Sequence, residues 1–204
     1  MMGKSARLDR REFLAAATAI GASLAWSAGL ARPSRVRWTE RRDLFPEGVA
    51  SGDPDPGSVM LWTRRPYEAR DRAILTVEVA EDASFNRVVS AAPVTILAEA
   101  DWTARVLAGG LKPARTYWYR FTDSDGNGSR IGRTITAPAA NDPRPVSFAF
   151  VSCQDANEGK LNGYRRMIFE DERARPAEQL GFVLHLGDFI YEVVQYPEEV
   201  KTRY

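Results

Sequence analysis

Between Leu44 and Pro138 the apolar residues come in short bursts, several of them alternating with polar ones. The bursts are Val59-Met60-Leu61-Trp62-Thr63, Ile74 to Val79, Val88-Val89, Val94 to Leu97, Trp102 to Val106, Tyr117 to Phe121 and Arg133 to Thr136. Turn-forming clusters separate them: Asp53-Pro54-Asp55-Pro56-Gly57, Gly109-Gly110 and Asp123-Ser124-Asp125-Gly126-Asn127-Gly128. Short β-rich runs at such spacing predict an all-β sandwich, with Trp62 and Trp118 in its core. Pro138 to Pro145 cannot continue a strand ladder and reads as a linker over 139–145. Beyond it the pattern changes. Val146 to Val151 is apolar at nearly every position and ends in Ser152-Cys153-Gln154-Asp155. A helical stretch over 164–175 carries Met167, Ile168 and Phe169 and stops at Pro176. A second apolar run, Phe182 to Leu186, then ends in Gly187-Asp188. This is β-loop-α-β, whose strands should be parallel and, in a buried sheet, apolar on both faces.

The start of the chain has a different logic. Lys4, Arg7, Arg10 and Arg11 form a positive segment, followed by Phe13-Leu14, an Ala-rich stretch to Leu24 and a small-x-small site ending at Ala31. That is the architecture of an export signal over residues 1–31. Arg10-Arg11 with Phe13-Leu14 close behind resembles the twin-arginine signal, which hands folded proteins to the twin-arginine export machinery. The apolar part is too short and too rich in Ala and Gly for a stable membrane anchor, which needs about 20 apolar residues. A periplasmic or secreted location is expected. Residues 32–43 then read as an extended lead-in.

Charge adds an exclusion. The formal net charge is +1, with 27% charged and 44% hydrophobic residues. Such a balance offers no basic stripe, so nucleic-acid binding is not expected.

The candidate chemistry lies at the two strand tips after the linker. Groups just past the carboxyl ends of parallel strands are placed for catalysis, and here one tip presents the thiol of Cys153 and the other the carboxylate of Asp188. The pairing suggests a metal site. Cys153 is the single cysteine; it could pack as a small hydrophobe, but its neighbours are polar. Asp188 could instead cap the following turn, and Tyr191 could be a packed aromatic. His185, the single histidine, alternates with Leu184 and Leu186 inside the strand and reads as structural. Asp155 and Asn157 lie close enough in sequence to Cys153 to contact a metal's water.

Leu111 to Arg120, with Tyr117 in the key place, resembles the tyrosine corner of fibronectin III and immunoglobulin-like sandwiches, where a Tyr hydroxyl bonds back to upstream backbone. A larger resemblance runs through Phe45-Pro46-Glu47-Gly48-Val49-Ala50-Ser51-Gly52-Asp53-Pro54, Leu61-Trp62-Thr63, the Leu111 to Phe121 corner, Phe148 to Gln154, and His185-Leu186-Gly187-Asp188-Phe189-Ile190-Tyr191-Glu192. With the twin-arginine start, these pieces stand in the order seen in the N-terminal part of PhoD-like alkaline phosphatases and phosphodiesterases, of the calcineurin-like metallophosphoesterase superfamily. The resemblance implies a fibronectin III/immunoglobulin-like β-sandwich domain over 44–138. The first β-α-β unit of an αββα metallophosphatase domain follows over 146–204. It further implies a hydrolase that uses Fe(III) and Ca²⁺ to activate hydroxide for attack on phosphate esters. Cys153 and Tyr191 would bind the iron, and Asp188 would bridge it to the calcium. Phe189 stands where the family often has Tyr, at a position that is not a ligand.

The superfamily also uses an Asn-His motif and later histidines after the Gly-Asp motif, and no such residues follow Asp188 here. The expectation is therefore a partial or truncated domain, without hydrolysis of p-nitrophenyl phosphate or its bis ester by residues 32–204 alone. Two other readings stay open: an exported, non-catalytic β-sandwich binding module, and a different binuclear hydrolase such as a nucleotidase.

Overall fold

A computed structural model of the chain describes residues 23–27, 30–154, 161–175, 178–189 and 191. They belong to two compact units, Met1–Asp142 and Pro143–Tyr204. The boundary falls inside the Pro138–Pro145 stretch. Among the described residues no helix is long and apolar enough to cross a membrane.

In the first unit, one sheet contains β1 (Ser23–Trp26), β3 (Val49–Asp55), β4 (Ser58–Arg64) and β7 (Thr103–Gly109), in the order β1-β7-β4-β3. The second contains β2 (Thr39–Glu40), β5 (Arg72–Ala80), β6 (Val88–Leu97), β8 (Thr116–Thr122) and β9 (Asn127–Gly128), in the order β2-β9-β8-β5-β6. β10 (Gly132–Ile135) also pairs with β8. One core joins the sheets because the strands alternate. Val59 and Leu61 of β4 and Ala104, Val106 and Ala108 of β7 meet Leu75, Val77 and Val79 of β5, Val94 and Ile96 of β6, and Tyr117, Tyr119 and Phe121 of β8. Register sets large against small in the first sheet, with Val59 opposite Ala108 and Leu61 opposite Val106. Each fully buried side chain of this size contributes roughly 1.5–3 kcal/mol of transfer free energy.

Alternation also corrects the tryptophans. Leu61 and Thr63 point inward, so Trp62 between them lies on the outer face, half-buried; Trp118, between Tyr117 and Tyr119, does the same. Trp102 joins the core in their place. It stands in a left-handed turn with Asp101, at φ 57° and 51°, and β7 begins one residue after it. The runs Val88-Val89 and Val94 to Leu97 are one strand, β6, which carries Pro93 within it. A strand with β5 as its sheet partner tolerates proline, since one row of its N–H groups is outside the ladder. The expected turn over 53–57 is narrower as well. β3 continues to Asp55, with a register shift between Gly52 and Asp55 where Asp53 turns left-handed at φ 47°. β1 lies within the stretch that reads as leader. It runs parallel to β7, and Ala25 is fully buried in the core.

Two polar arrangements brace this unit. Across β5 and β8, Arg120 donates to Glu78 Oε2 from Nε at 2.9 Å and from Nη2 at 2.7 Å. Ser34 donates to Glu78 Oε1 at 2.6 Å, and the Arg120 guanidinium lies 4.0 Å from the Phe85 ring centre. At the corner, the Lys112 N–H donates to the Tyr117 hydroxyl at 2.9 Å.

The second unit contains β11 (Phe148–Val151), α1 (Asn162–Arg173) and β12 (Phe182–His185). The strands are parallel, with Phe148 opposite Phe182 and Val151 opposite His185. The Phe148 and Phe182 rings stack at 5.1 Å. The helix starts two residues before the expected 164, and Pro176 lies outside the described residues. Burial on both faces is not found: Phe150 is 69% exposed and Leu184 47%. Among the described residues no second layer covers this two-stranded sheet, and the helix buries none of its own residues.

Candidate metal centre

The strand ladder does not stop where β11 and β12 stop. Leu186 N–H donates to Val151 O at 2.8 Å, Cys153 N–H to Gly187 O at 3.0 Å, and Gln154 N–H to Asp188 O at 2.9 Å. These bonds carry the parallel pairing out to the two tips. There the backbone turns left-handed after both strands, at Cys153 (φ 56°) and at Asp188 (φ 52°), with Gly187 at φ 126° between His185-Leu186 and the aspartate. Glycine is required at such a φ. For the two side-chain-bearing residues the conformation costs on the order of 1 kcal/mol or more each, and such strain gathers at functional sites.

The turns bring Cys153, Asp188 and Tyr191 together. Cys153 Sγ donates to Asp188 Oδ2 at 3.3 Å, and the Tyr191 hydroxyl donates to the same oxygen at 3.3 Å. Cys153 and Asp188 are exposed and Tyr191 is half-buried. The Tyr191 hydroxyl is pushed up to about 12. Loss of water is the main cause, followed by its hydrogen bond with Cys153 and the charge of Asp188. Without a cation, then, the Tyr191 phenol keeps its proton. A multiply charged cation can replace the phenol and thiol protons while satisfying the carboxylate, and thiolate, carboxylate and phenolate together suit a charge-dense transition metal. The donor set fits a metal.

His185 lies outside this trio. Its Nδ1 accepts the Gly187 N–H at 3.3 Å, and its ring meets Phe189 edge-on at 4.9 Å. The sequence reading leaves that backbone contact out, although the spacing His-x-Gly before an aspartate is its only trace. Asp155 and Asn157 lie outside the described residues. Among the described residues, His, Cys, Asp and Glu alone form no group of three that could hold a metal; Tyr191 completes the set. A cavity of about 710 Å³ in the first unit, lined by Arg32, Ser34, Glu78 and Val88 among others, includes none of the three donors.

Comparison with known proteins places this geometry in context. Alkaline phosphatase D of Bacillus subtilis (strain 168) is 34% identical over 202 residues, spanning 90% of this chain. The chain in turn spans 32% of that protein's length. The solved structure of PhoD superposes with a TM-score of 0.63 at 34% identity, over 73% of this chain and 28% of that one. The profile of the PhoD-like phosphatase N-terminal domain matches residues 29–138, the stretch that holds the corner at Tyr117 and most of the core. The chain belongs to the PhoD-like phosphatase family.

Proposed function

We propose that this chain forms part of an exported, metal-dependent phosphoric ester hydrolase, with an iron centre on Cys153, Asp188 and Tyr191. One observation carries the reading: a single carboxylate oxygen, Asp188 Oδ2, lies 3.3 Å from both a thiol and a phenol, in a chain of a phosphatase family. Fe(III) suits those three anionic donors, while Ca²⁺, as an oxygen-seeking cation, would share the carboxylate of Asp188. When bound, such a pair supplies Lewis-acid activation of a phosphate ester. The chain's own residues hold and orient: Cys153 and Tyr191 give up their protons to become donors, and Asp188 fixes the point on which they converge.

The remaining parts of the reading rest on sequence and local geometry. A fibronectin III/immunoglobulin-like kinship for 44–138 is supported by the Lys112–Tyr117 bond. An αββα layout for 146–204 is supported by parallel β11 and β12 with α1 between them in the chain. Export through residues 1–31 to the periplasm or beyond is supported by Arg10-Arg11 with Phe13-Leu14. The partners would be a phosphate ester and the twin-arginine machinery, with no nucleic acid and no stable membrane anchor.

The purified full chain, given Fe(III), is expected to take up iron and to show thiolate- and phenolate-to-iron absorption in the visible. Cys153→Ser should remove the sulfur contribution and Asp188→Asn should weaken uptake. Absence of uptake, or uptake indifferent to both substitutions, sinks the reading.

A further inference from the structure

His185 ends β12 and is the chain's single histidine. Its Nδ1 faces the Gly187 N–H at 3.3 Å and can face it only as an acceptor. A ring nitrogen that accepts carries no proton, so the form that makes this bond is the tautomer with its proton on Nε2. Nε2 is buried and has no hydrogen-bond partner among the described residues. Phe189, edge-on at 4.9 Å, holds the ring from the far side of the turn. The imidazole is thus wedged between the peptide ahead of Asp188 and the aromatic residue behind it.

That peptide is the strained part of the site, with φ of 126° at Gly187 and 52° at Asp188. Conformations of this kind persist when surrounding contacts over-determine them. The carbonyls of Gly187 and Asp188 are held by the N–H groups of Cys153 and Gln154, at 3.0 and 2.9 Å. The Gly187 N–H is held by a side chain, and that side chain is His185. We infer that His185 is a positioning residue for Asp188: its Nδ1 sets the left-handed turn that aims the carboxylate at Cys153 and Tyr191. The inference rests on the metal-centre reading above and adds to it a residue that touches neither metal nor substrate.

A histidine that only fills space could be replaced by any flat or apolar group. One that grips an amide needs a lone pair where Nδ1 stands. Asn can offer that through Oδ1, whereas Phe and Leu cannot. The test uses the full chain as wild type, His185→Asn, His185→Phe and His185→Leu, each loaded with Fe(III). Three quantities are read: iron affinity by competition with a chelator, the visible charge-transfer band, and the melting temperature without iron. His185→Asn is expected to bind within about threefold of wild type with the same band, while Phe and Leu lose about 10–100-fold, the usual penalty for removing a group that orients a ligand. Their bands should shift even where melting temperature is kept. The inference is overturned if Phe or Leu binds iron as wild type does, or if Asn loses as much as they do. A wild-type chain that takes no iron overturns the metal centre itself and this inference with it. That outcome is distinct from uniform binding by all four chains, which removes only the role of His185.

Discussion

Gly132 and Tyr119 face each other across β10 and β8, and the tyrosine ring fills the space a side chain on Gly132 would need, its Cζ 2.4 Å from where a Cβ would stand. The ring runs beneath the glycine and delivers its hydroxyl to Ser51 of β3, linking the two sheets. Gly132→Ala forces that ring aside. The expected loss is about 1–3 kcal/mol, the range for overpacking a filled site, measured as a lower urea midpoint with unchanged slope. Stability equal to wild type would show that the ring has room to move.

The corner at Tyr117 is a separate lock. Removing its hydroxyl leaves the Lys112 N–H, bonded to it at 2.9 Å, without that partner. Tyr117→Phe should cost about 0.5–1.5 kcal/mol, the net contribution of a typical hydrogen bond, because Lys112 is exposed. The far-ultraviolet circular dichroism should stay unchanged, since the ring still packs. A loss within experimental error would make the bond incidental.

Acid sensitivity should trace to Asp123. Its carboxylate, 1% exposed as a side chain, pairs with Arg65 at 3.1 Å. Burial by itself raises its proton affinity, but hydrogen bonds from Asn127, Arg65 and the Asp125 backbone outweigh that and hold it below the usual carboxylate range. The folded value lies below the unfolded one of about 3.9. The associated stability is therefore present above pH about 4 and is lost as pH falls through the folded value. Asp123→Asn is expected to cost about 3 kcal/mol at pH 7, because Arg65 keeps a buried charge without its counterpart. The gap should narrow in urea titrations at pH 3, and a constant gap would place the acid sensitivity elsewhere.

Tyr191→Phe keeps the ring and removes the donor. On the proposed centre, iron affinity should fall by about tenfold or more and the phenolate part of the visible band should vanish, while the sulfur part remains. An unchanged spectrum would mean that Tyr191 only packs against the turn.

A chain starting at Arg32 loses β1, and with it the Ser27–Gly109 bond of 2.8 Å and the buried Ala25. It is expected to be less stable than the full chain by about 1 kcal/mol, the scale of exposing one buried methyl, read as a lower melting temperature. Equal melting temperatures would show that β1 adds nothing to the sheet.

Sequence pattern reveals the first unit best where burial is one-sided. Leu61 and Thr63 in β4, and Tyr117, Tyr119 and Phe121 in β8, alternate as half-buried strands do. The same alternation decides Trp62 and Trp118, but hydrophobicity alone pulls both toward the core. Pro93 breaks β6 in a reading by propensity, because nothing local says that the strand has an open side. For the candidate site, the residue types at the two tips are legible, and the three donors do stand together. The left-handed turns at Cys153 and Asp188 are not legible, since neither residue is a glycine. The grip of His185 on Gly187 is hidden for another reason: it depends on a backbone N–H that no side-chain pattern records.

The three amide–carbonyl pairs that extend the ladder past Val151 and His185 settle the separation of sulfur and carboxylate in the main chain itself. Freezing a loose residue consumes about 1–2 kcal/mol, and here that expense falls on folding, before any cation arrives. On the proposed centre, a visiting ion would thus meet jaws already cut to gauge. His185 apart, swapping side chains elsewhere on these tips should leave the gauge alone, whereas a proline at Cys153 or Gln154, by deleting one of those amides, should spring it.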